Sequence, residues 1–352
     1  MIKLIVIASV LLGLAVTVLA VLHHPAFGPH PLGGQKTVYH NEIPTPQFTG
    51  KTGNGGQSGS GIKVMWHFLT DNTNKRFPEK PVETVQTDLF SLPLDKDWFV
   101  WFGHSSYLFA LGGNRILVDP VLKMEFPASV MMKPFPGSDL YTPDNIPDID
   151  LLVITHEHWD HLDYATLRDL RPKIKHIICP SGIGEYMTYW GFAPEIVTEM
   201  KWYEKSEWDC GDKNKVVFTC LPTRHFSNRL LGANRTLWAS FMLESNGRQV
   251  YIGGDGGYDD RFIRIRNRFG HIDLAIMENG QYNKNWAYIH LLPEDLEQAM
   301  LDLQAEQYIT VHHDKFSLAP HAWDEPDSVA HSIAEKDRLN LLDHPIGSVI
   351  YY

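Results

Sequence analysis

Asp150–His161 reads DLLVITHEHWDH, and its two halves demand different surroundings. Leu151 to Ile154 is a short, uninterrupted apolar run of the kind that forms a strand buried on both faces. Directly behind it stand four metal-type side chains within six residues, His156, His158, Asp160 and His161. Alternate residues of an extended segment point the same way, so His156 and His158 can bind one metal ion together. The following turn brings Asp160 and His161 towards a neighbouring position, where a second ion can be held. A helix-like segment, TLRDLRPK at 166–173, comes next, so the order is strand, metal-rich loop, helix.

The same placement recurs further along. His225 follows KVVFTCLPTR, Asp255 follows QVYIGG, and His312 follows EQYITV. In layered α/β proteins the carboxyl ends of the strands form the rim where ligands gather. Each residue alone has an ordinary reading as a solvated loop side chain or a turn cap. A two-metal site, however, needs three ligands beyond the first four. Imidazole with carboxylate suits zinc first, with manganese or iron behind it.

Strand-like runs, WFVWFG, SYLFAL and RILVDP, begin after Asp97, with Gly112, Gly113 and Asn114 as a hairpin signal. Further runs lie at KHIICP, KVVFTC, LWASFMLE, QVYIGG, DLAIM and QYITV, and helices are expected at GIGEYMTYWG, DDRFIRIRNRF and PEDLEQAMLDLQA. Strands and helices mixed at this density predict a layered α/β sandwich over residues 95–352. Residues 23–94, including the run TGNGGQSGSG at Thr52–Gly61, read as a linker and extended arm.

Composition narrows the function classes. The chain has 352 residues, 43% of them hydrophobic, enough for a large core and against general disorder. With 31 Lys and Arg against 42 Asp and Glu the formal charge is −11, which argues against a nucleic-acid partner held by a broad basic surface. Cys179, Cys210 and Cys220 are too few and too irregular for a disulfide framework or a metal knuckle, and read as small buried hydrophobes. The aromatics Trp159, Tyr186, Trp190, Trp202, Trp208, Trp286 and Trp323 are candidates for an apolar groove, although most aromatics in such a chain belong to the core. Leu4 to Leu22 is apolar or small throughout behind Lys3. It fits a retained membrane anchor, or an export signal cut after Ala20, and either places the rest at or beyond a membrane.

The ordered set THEHWDH, PTRHFS, GGDGGY and TVHHDKF resembles the metallo-β-lactamase superfamily. WFGHSSYLF, ILVDPVL, THEHWDHLDY, TRHFSNRLLGANRTLWASF, GDGGYDDRF and IHLLPEDLEQA resemble its branch containing N-acylphosphatidylethanolamine-hydrolysing phospholipase D. This likeness runs from about Trp98 to near the C-terminus. It implies a four-layer αββα sandwich and two zinc ions, one on His156, His158 and His225, the other on Asp160, His161 and His312, with Asp255 bridging. It further implies a hydroxide between the metals as nucleophile, and so gives Asp160 and Asp255 catalytic as well as ligand roles. His290, in YIHLLP, matches a histidine near the substrate phosphate, as a contact or a proton donor to the leaving group. His313 matches an aromatic pocket position. His104 in GHSS is expected near the rim, as a substrate contact or beside a ligand, and Asp119 in VDP as a partner orienting a ligand histidine.

The expected substrate is thus a phospholipid or another small phosphodiester, met at a membrane surface through the N-terminal segment. A lactonase on the same scaffold and a non-catalytic metal-binding envelope protein remain alternatives. Zinc β-lactamase activity ranks lower, because Asp255 stands where those enzymes carry a cysteine.

Overall fold

A computed structural model describes residues 2–30, 37–42, 75–209, 211, 213–229 and 233–352. The Thr52–Gly61 run and Cys210 lie outside these residues. Two sheets face each other, with strands numbered in chain order. The first sheet runs β13 (Val349–Tyr351), β1 (Trp98–Trp101), β2 (Tyr107–Leu111), β3 (Asn114–Val118), β4 (Ile149–Val153), β5 (Ile174–Pro180), β6 (Val197–Met200). The second runs β12 (Gln307–Val311), β11 (Leu274–Glu278), β10 (Arg248–Ile252), β9 (Ser240–Ser245), β8 (Val216–Leu221), β7 (Lys205–Trp208).

Alternation along the strands builds three apolar layers. In β1, Phe99 and Trp101 point between the sheets while Trp98 and Val100 point outward. In β4, Leu151 and Val153 face inward and Leu152 outward. In β10 and β11, Val250, Ile252, Leu274 and Ile276 face inward, while Tyr251, Ala275 and Met277 meet the opposite outer layer. Both faces of these strands are dry, which is why they read as continuous apolar runs rather than alternating ones. Helices Tyr164–Leu170 and Ile183–Tyr189 cover the first sheet through Leu167, Leu170, Ile183 and Met187. Helices Arg261–Phe269 and Pro293–Leu303 cover the second through Phe262, Ile265, Leu296 and Met300. The result is the αββα sandwich expected from the motifs.

The β2–β3 turn carries two consecutive left-handed glycines, Gly112 (φ 59°) and Gly113 (φ 85°), the backbone a two-residue hairpin loop of this twist requires. β6, β7, β13 and the helix Glu325–Asp337 were not foreseen. β6 and β7 are edge strands whose residues, Met200 apart, are exposed or half-buried, so they lack a strong apolar signature.

The arm wraps the body. Val82 and Leu89 are buried, Val85 N donates to the Ile346 carbonyl, and Thr87 Oγ1 donates to that of Gly347. Cys179 and Cys220 are buried free thiols, both pushed up in pKa by burial. The N-terminal run forms one helix, Ile2–Leu22. Over residues whose side chains are described, no helix is long and apolar enough to cross a membrane, and residues 2–8, 10 and 15 of this helix fall outside that set. The expected anchor therefore stands on the sequence alone.

Candidate metal centre

β4, β8, β10 and β12 deliver His156, His225, Asp255 and His312 to one rim of the sandwich, and the loop after β4 adds His158, Asp160 and His161. All seven are brought together. Six are buried and His158 is half-buried. Asp255 is central: its Oδ2 lies 3.3 Å from His161 Nε2, 3.7 Å from His225 Nε2, 3.8 Å from His156 Nε2 and 4.0 Å from His290 Nδ1, and its Oδ1 lies 3.4 Å from His312 Nδ1. One carboxylate thus faces five imidazoles. The glycines beside it make this approach possible. Gly254 has φ 57°, and a Cβ there would sit 2.7 Å from the Ala239 carbonyl oxygen; a Cβ on Gly256 would fall 1.7 Å from Thr223 Oγ1.

One ring nitrogen each of His156, His161, His225 and His312 is held by a protein group. Asp119, just past β3, accepts from Thr155 N (2.8 Å), Thr155 Oγ1 (2.6 Å) and His161 Nδ1 (2.8 Å). Thr155 Oγ1, having donated its proton to Asp119, accepts from His156 Nδ1 at 3.0 Å. His225 Nδ1 donates to the Ile289 carbonyl at 2.9 Å. His104 Nε2 contacts Asp160 Oδ2 at 2.8 Å, and Ser105 Oγ contacts His312 Nδ1 at 2.8 Å. The bonds at Nδ1 fix the tautomers of His156 and His225 and leave their Nε2 lone pairs facing inward, whereas His161, against burial, is raised well above the usual imidazole range by Asp255, Asp160 and Asp119.

What faces inward fits metal ions. His156 Nε2 and His225 Nε2 approach the same atom, His158 Nδ1, at 2.9 and 3.1 Å. Only one proton could lie among these three nitrogens. His161 Nε2 and Asp255 Oδ1 are buried and make no hydrogen bond. Lone pairs crowded in this way are stable around a cation and costly without one. Burial, reinforced by neighbouring histidines, drives His156, His225 and His312 well below the usual imidazole range, and burial takes His158 down to about 3. They are therefore neutral, the form that ligates. Burial pushes the Asp255 carboxyl up, to about 6, against the pull of His161. Two groupings emerge, His156 with His158 and His225, and His104 with Asp160, His161 and His312; Asp255 lies within reach of both.

The remaining predicted residues separate. His290 lies at the rim, and the His104 ring is fully buried with Nε2 on Asp160. His313 is not in the cluster. Its ring packs on Trp101 and near His344, because it turns to the opposite side of the chain from His312; the pocket-lining place expected of it is corrected to packing beneath the site. Trp159, Tyr186 and Trp190 do not form an open groove but surround the buried guanidinium of Arg229.

Glu278 was missed. It ends the apolar strand β11, and its Oε2 contacts His290 Nδ1 at 2.7 Å while Oε1 accepts from Gly256 N and Leu291 N, both at 3.0 Å. Burial works against the charged His290 ring, but the Glu278 carboxylate outweighs it and raises the pKa. An acidic residue closing a buried strand beside a predicted metal rim was the available signal.

A two-sheet sandwich with this cluster on its rim defines a metallo-hydrolase of the metallo-β-lactamase fold. The model of the β-lactamase superfamily domain matches residues 114–313, and the chain belongs to that superfamily. It is 31% identical over 286 residues to an uncharacterized protein of Mycobacterium tuberculosis, covering 79% of this chain and 74% of that one. It is 32% identical over 257 residues to the mitochondrial N-acyl-phosphatidylethanolamine-hydrolyzing phospholipase D of Saccharomyces cerevisiae, covering 68% of this chain and 53% of the yeast protein, so it spans about half of that relative's length. Among solved structures, Igni18, a metallo hydrolase of the archaeon Ignicoccus hospitalis, superposes with a TM-score of 0.54 at 18% identity, over 73% of this chain and 98% of that one. This last likeness is one of fold.

Proposed function

We propose that the protein is a dinuclear zinc phosphodiesterase of phospholipase D type, acting on N-acylphosphatidylethanolamine or a related phospholipid. The observation that carries this reading is the single carboxylate of Asp255 set among five imidazoles. His156, His158 and His225 would hold one ion and Asp160, His161 and His312 the other, with Asp255 shared. When bound, the pair supplies Lewis acidity, polarising the phosphoryl oxygens and making water acidic enough to attack near neutral pH.

The chain's own groups complete the reaction. Water oxygen forms a bond to phosphorus, the bond from phosphorus to the ethanolamine oxygen breaks, and the departing oxygen takes up a proton to give phosphatidate and an N-acylethanolamine. His290, whose pKa Glu278 raises against burial, is placed to supply that proton. His104 orients the Asp160 carboxylate, which His161 and then His104 hold ionised against burial.

Two observations support the lipid. The chain is similar to a relative named for this substrate. Beside the rim, Phe126, Val130 and Met131 are 45%, 70% and 58% exposed, on a segment ending in the short helix Ala128–Met131 whose buried residues pack with Trp159 and Phe316, neighbours of the cluster. The Phe126 ring also meets His24, just past the N-terminal helix. An apolar patch next to an apolar helix favours a membrane-facing or exported location.

Elemental analysis beside hydrolysis of N-acylphosphatidylethanolamine in mixed micelles tests the proposal. About two zinc ions per chain are expected, with phosphatidate and N-acylethanolamine in equal amounts, and Asp255→Asn should abolish turnover while the circular dichroism of the fold persists. Zinc binding with lactone but no phospholipid hydrolysis would favour the lactonase. Zinc binding without any hydrolysis would favour a binding protein.

A further inference from the structure

The arm between the apolar helix and the sandwich touches the metal rim at two points, and both lie on the same half of it. At the first, the Arg229 side chain bridges two backbones: Nε donates to the Ala26 carbonyl and Nη1 to that of Glu157, each at 2.7 Å. Glu157 is the residue between His156 and His158. The Trp159 indole stacks on this guanidinium at 3.9 Å and meets the Phe27 ring edge-on at 5.3 Å, and Trp159 Nε1 donates to the Arg229 carbonyl. At the second point, Asn41 and His225 exchange a reciprocal pair. Asn41 Nδ2 donates to the His225 carbonyl at 2.8 Å, and His225 N donates to Asn41 Oδ1 at 3.1 Å. That oxygen also accepts from Trp238 Nε1 at 3.1 Å.

The side-chain amide of Asn41 therefore does for His225 what a neighbouring strand would do, satisfying both backbone groups of one residue beyond the end of β8. The ring is fixed separately, through Nδ1 and the Ile289 carbonyl. Backbone and ring together determine where His225 Nε2 points. Phe27 meets Trp159, which stands between His158 and Asp160, but among the described residues the arm's hydrogen bonds at the rim reach Arg229 and His225 and none reaches Asp160, His161 or His312.

We infer that the arm, through Ala26, Phe27 and Asn41, is a working part of the three-histidine half of the metal centre, with Asn41 as the positioning residue of His225. The inference rests on the dinuclear reading above. It turns a segment that composition marks as linker into part of the site, and it ties the root of the apolar helix to a ligand loop. A cut after Ala20 would leave both contacts in the mature protein.

The test is metal affinity in the full chain. Zinc competition against a chromophoric chelator, and the visible absorption of the cobalt-substituted protein, are compared for the parent, Asn41→Ala and Asn41→Asp. Loss of a partner that orients a ligand weakens binding roughly 10- to 100-fold. One of the two zinc affinities should fall by that order and the other should hold, with a changed cobalt spectrum at the weakened position. Asn41→Asp keeps the shape and the acceptor for His225 N but loses the donor to its carbonyl. It carries the same expectation if Asn41→Ala does not fold. Parent affinities at both positions in the variants, or an equal fall at both, would overturn the inference while leaving the dinuclear reading intact. A parent chain that takes up no metal would sink both.

Discussion

Glu278 and His290 form a pair whose geometry assigns each a task. Two backbone N–H groups, of Gly256 and Leu291, hold one carboxylate oxygen, so the other is aimed at His290 Nδ1 without freedom to turn away. Replacing the carboxylate by an amide preserves shape but not charge. In Glu278→Gln the amide can still accept from the two backbone groups, and its nitrogen then faces His290 Nδ1 as a donor. The ring must answer as an acceptor, and so becomes neutral. If His290 donates a proton to the departing oxygen, kcat for phospholipid hydrolysis should fall about 100-fold, the low end of what a positioned acid contributes. Zinc content should stay at the parent level, since Glu278 is not among the seven proposed ligands. Steady-state kinetics beside metal analysis checks this, and an unchanged kcat would remove His290 from the chemistry.

At the scale of elements, the sheet carries its own buried charge. Asp150 in β4 accepts from Arg115 N of β3 at 2.9 Å and pairs with Lys175 of β5 at 2.8 Å and with Lys213. Burial alone would raise its pKa, but the two lysines and the Arg115 amide outweigh burial and hold it below the usual carboxylate range. The sign follows from linkage. A carboxyl whose folded pKa is depressed adds stability above its unfolded pKa, near 4, and that stability is lost as pH falls through the folded value. Asp150→Asn should therefore cost about 1–3 kcal/mol at pH 7. The gap from the parent should narrow as pH drops below about 4, which urea unfolding at pH 7 and pH 3.5 would show.

The contrast between what was legible and what was not follows the same physics. Strands buried on both faces announce themselves, as β4, β10 and β12 do, and the ligand-type residues were found because each follows such a run. β6 and β7 were missed because edge position leaves them mixed in polarity. Asn41 and His225 are 184 residues apart, in a stretch with no periodicity, and nothing local marks such a pair. Glu278 directly follows the DLAIM run, as the ligand-type residues follow theirs, but no neighbouring motif set it apart from an ordinary strand end. His313 shared its neighbour's motif but not its direction.

Across the whole molecule, metal binding and folding are one equilibrium. The seven proposed ligands come from separate segments spread from His156 to His312, and only the folded sandwich assembles them. Without cations the rim keeps three imidazole nitrogens facing one another and a carboxylate that burial drives towards protonation. Stability gained on binding grows as RT ln(1 + [L]/Kd), about 2.7 kcal/mol at a free metal concentration 100 times Kd. For a body of this size each kcal/mol moves the thermal midpoint by about 2–4 °C. Stripping the metal with a chelator should therefore lower the midpoint by about 5–11 °C, and restoring zinc should recover it. Asp255→Asn should show a smaller gap between its stripped and zinc-loaded forms than the parent, because the shared ligand is lost in both. Scanning calorimetry of the four samples decides the matter. Equal midpoints for stripped and loaded parent protein would mean that the rim holds its shape without metal, and the crowded lone pairs would then need another explanation.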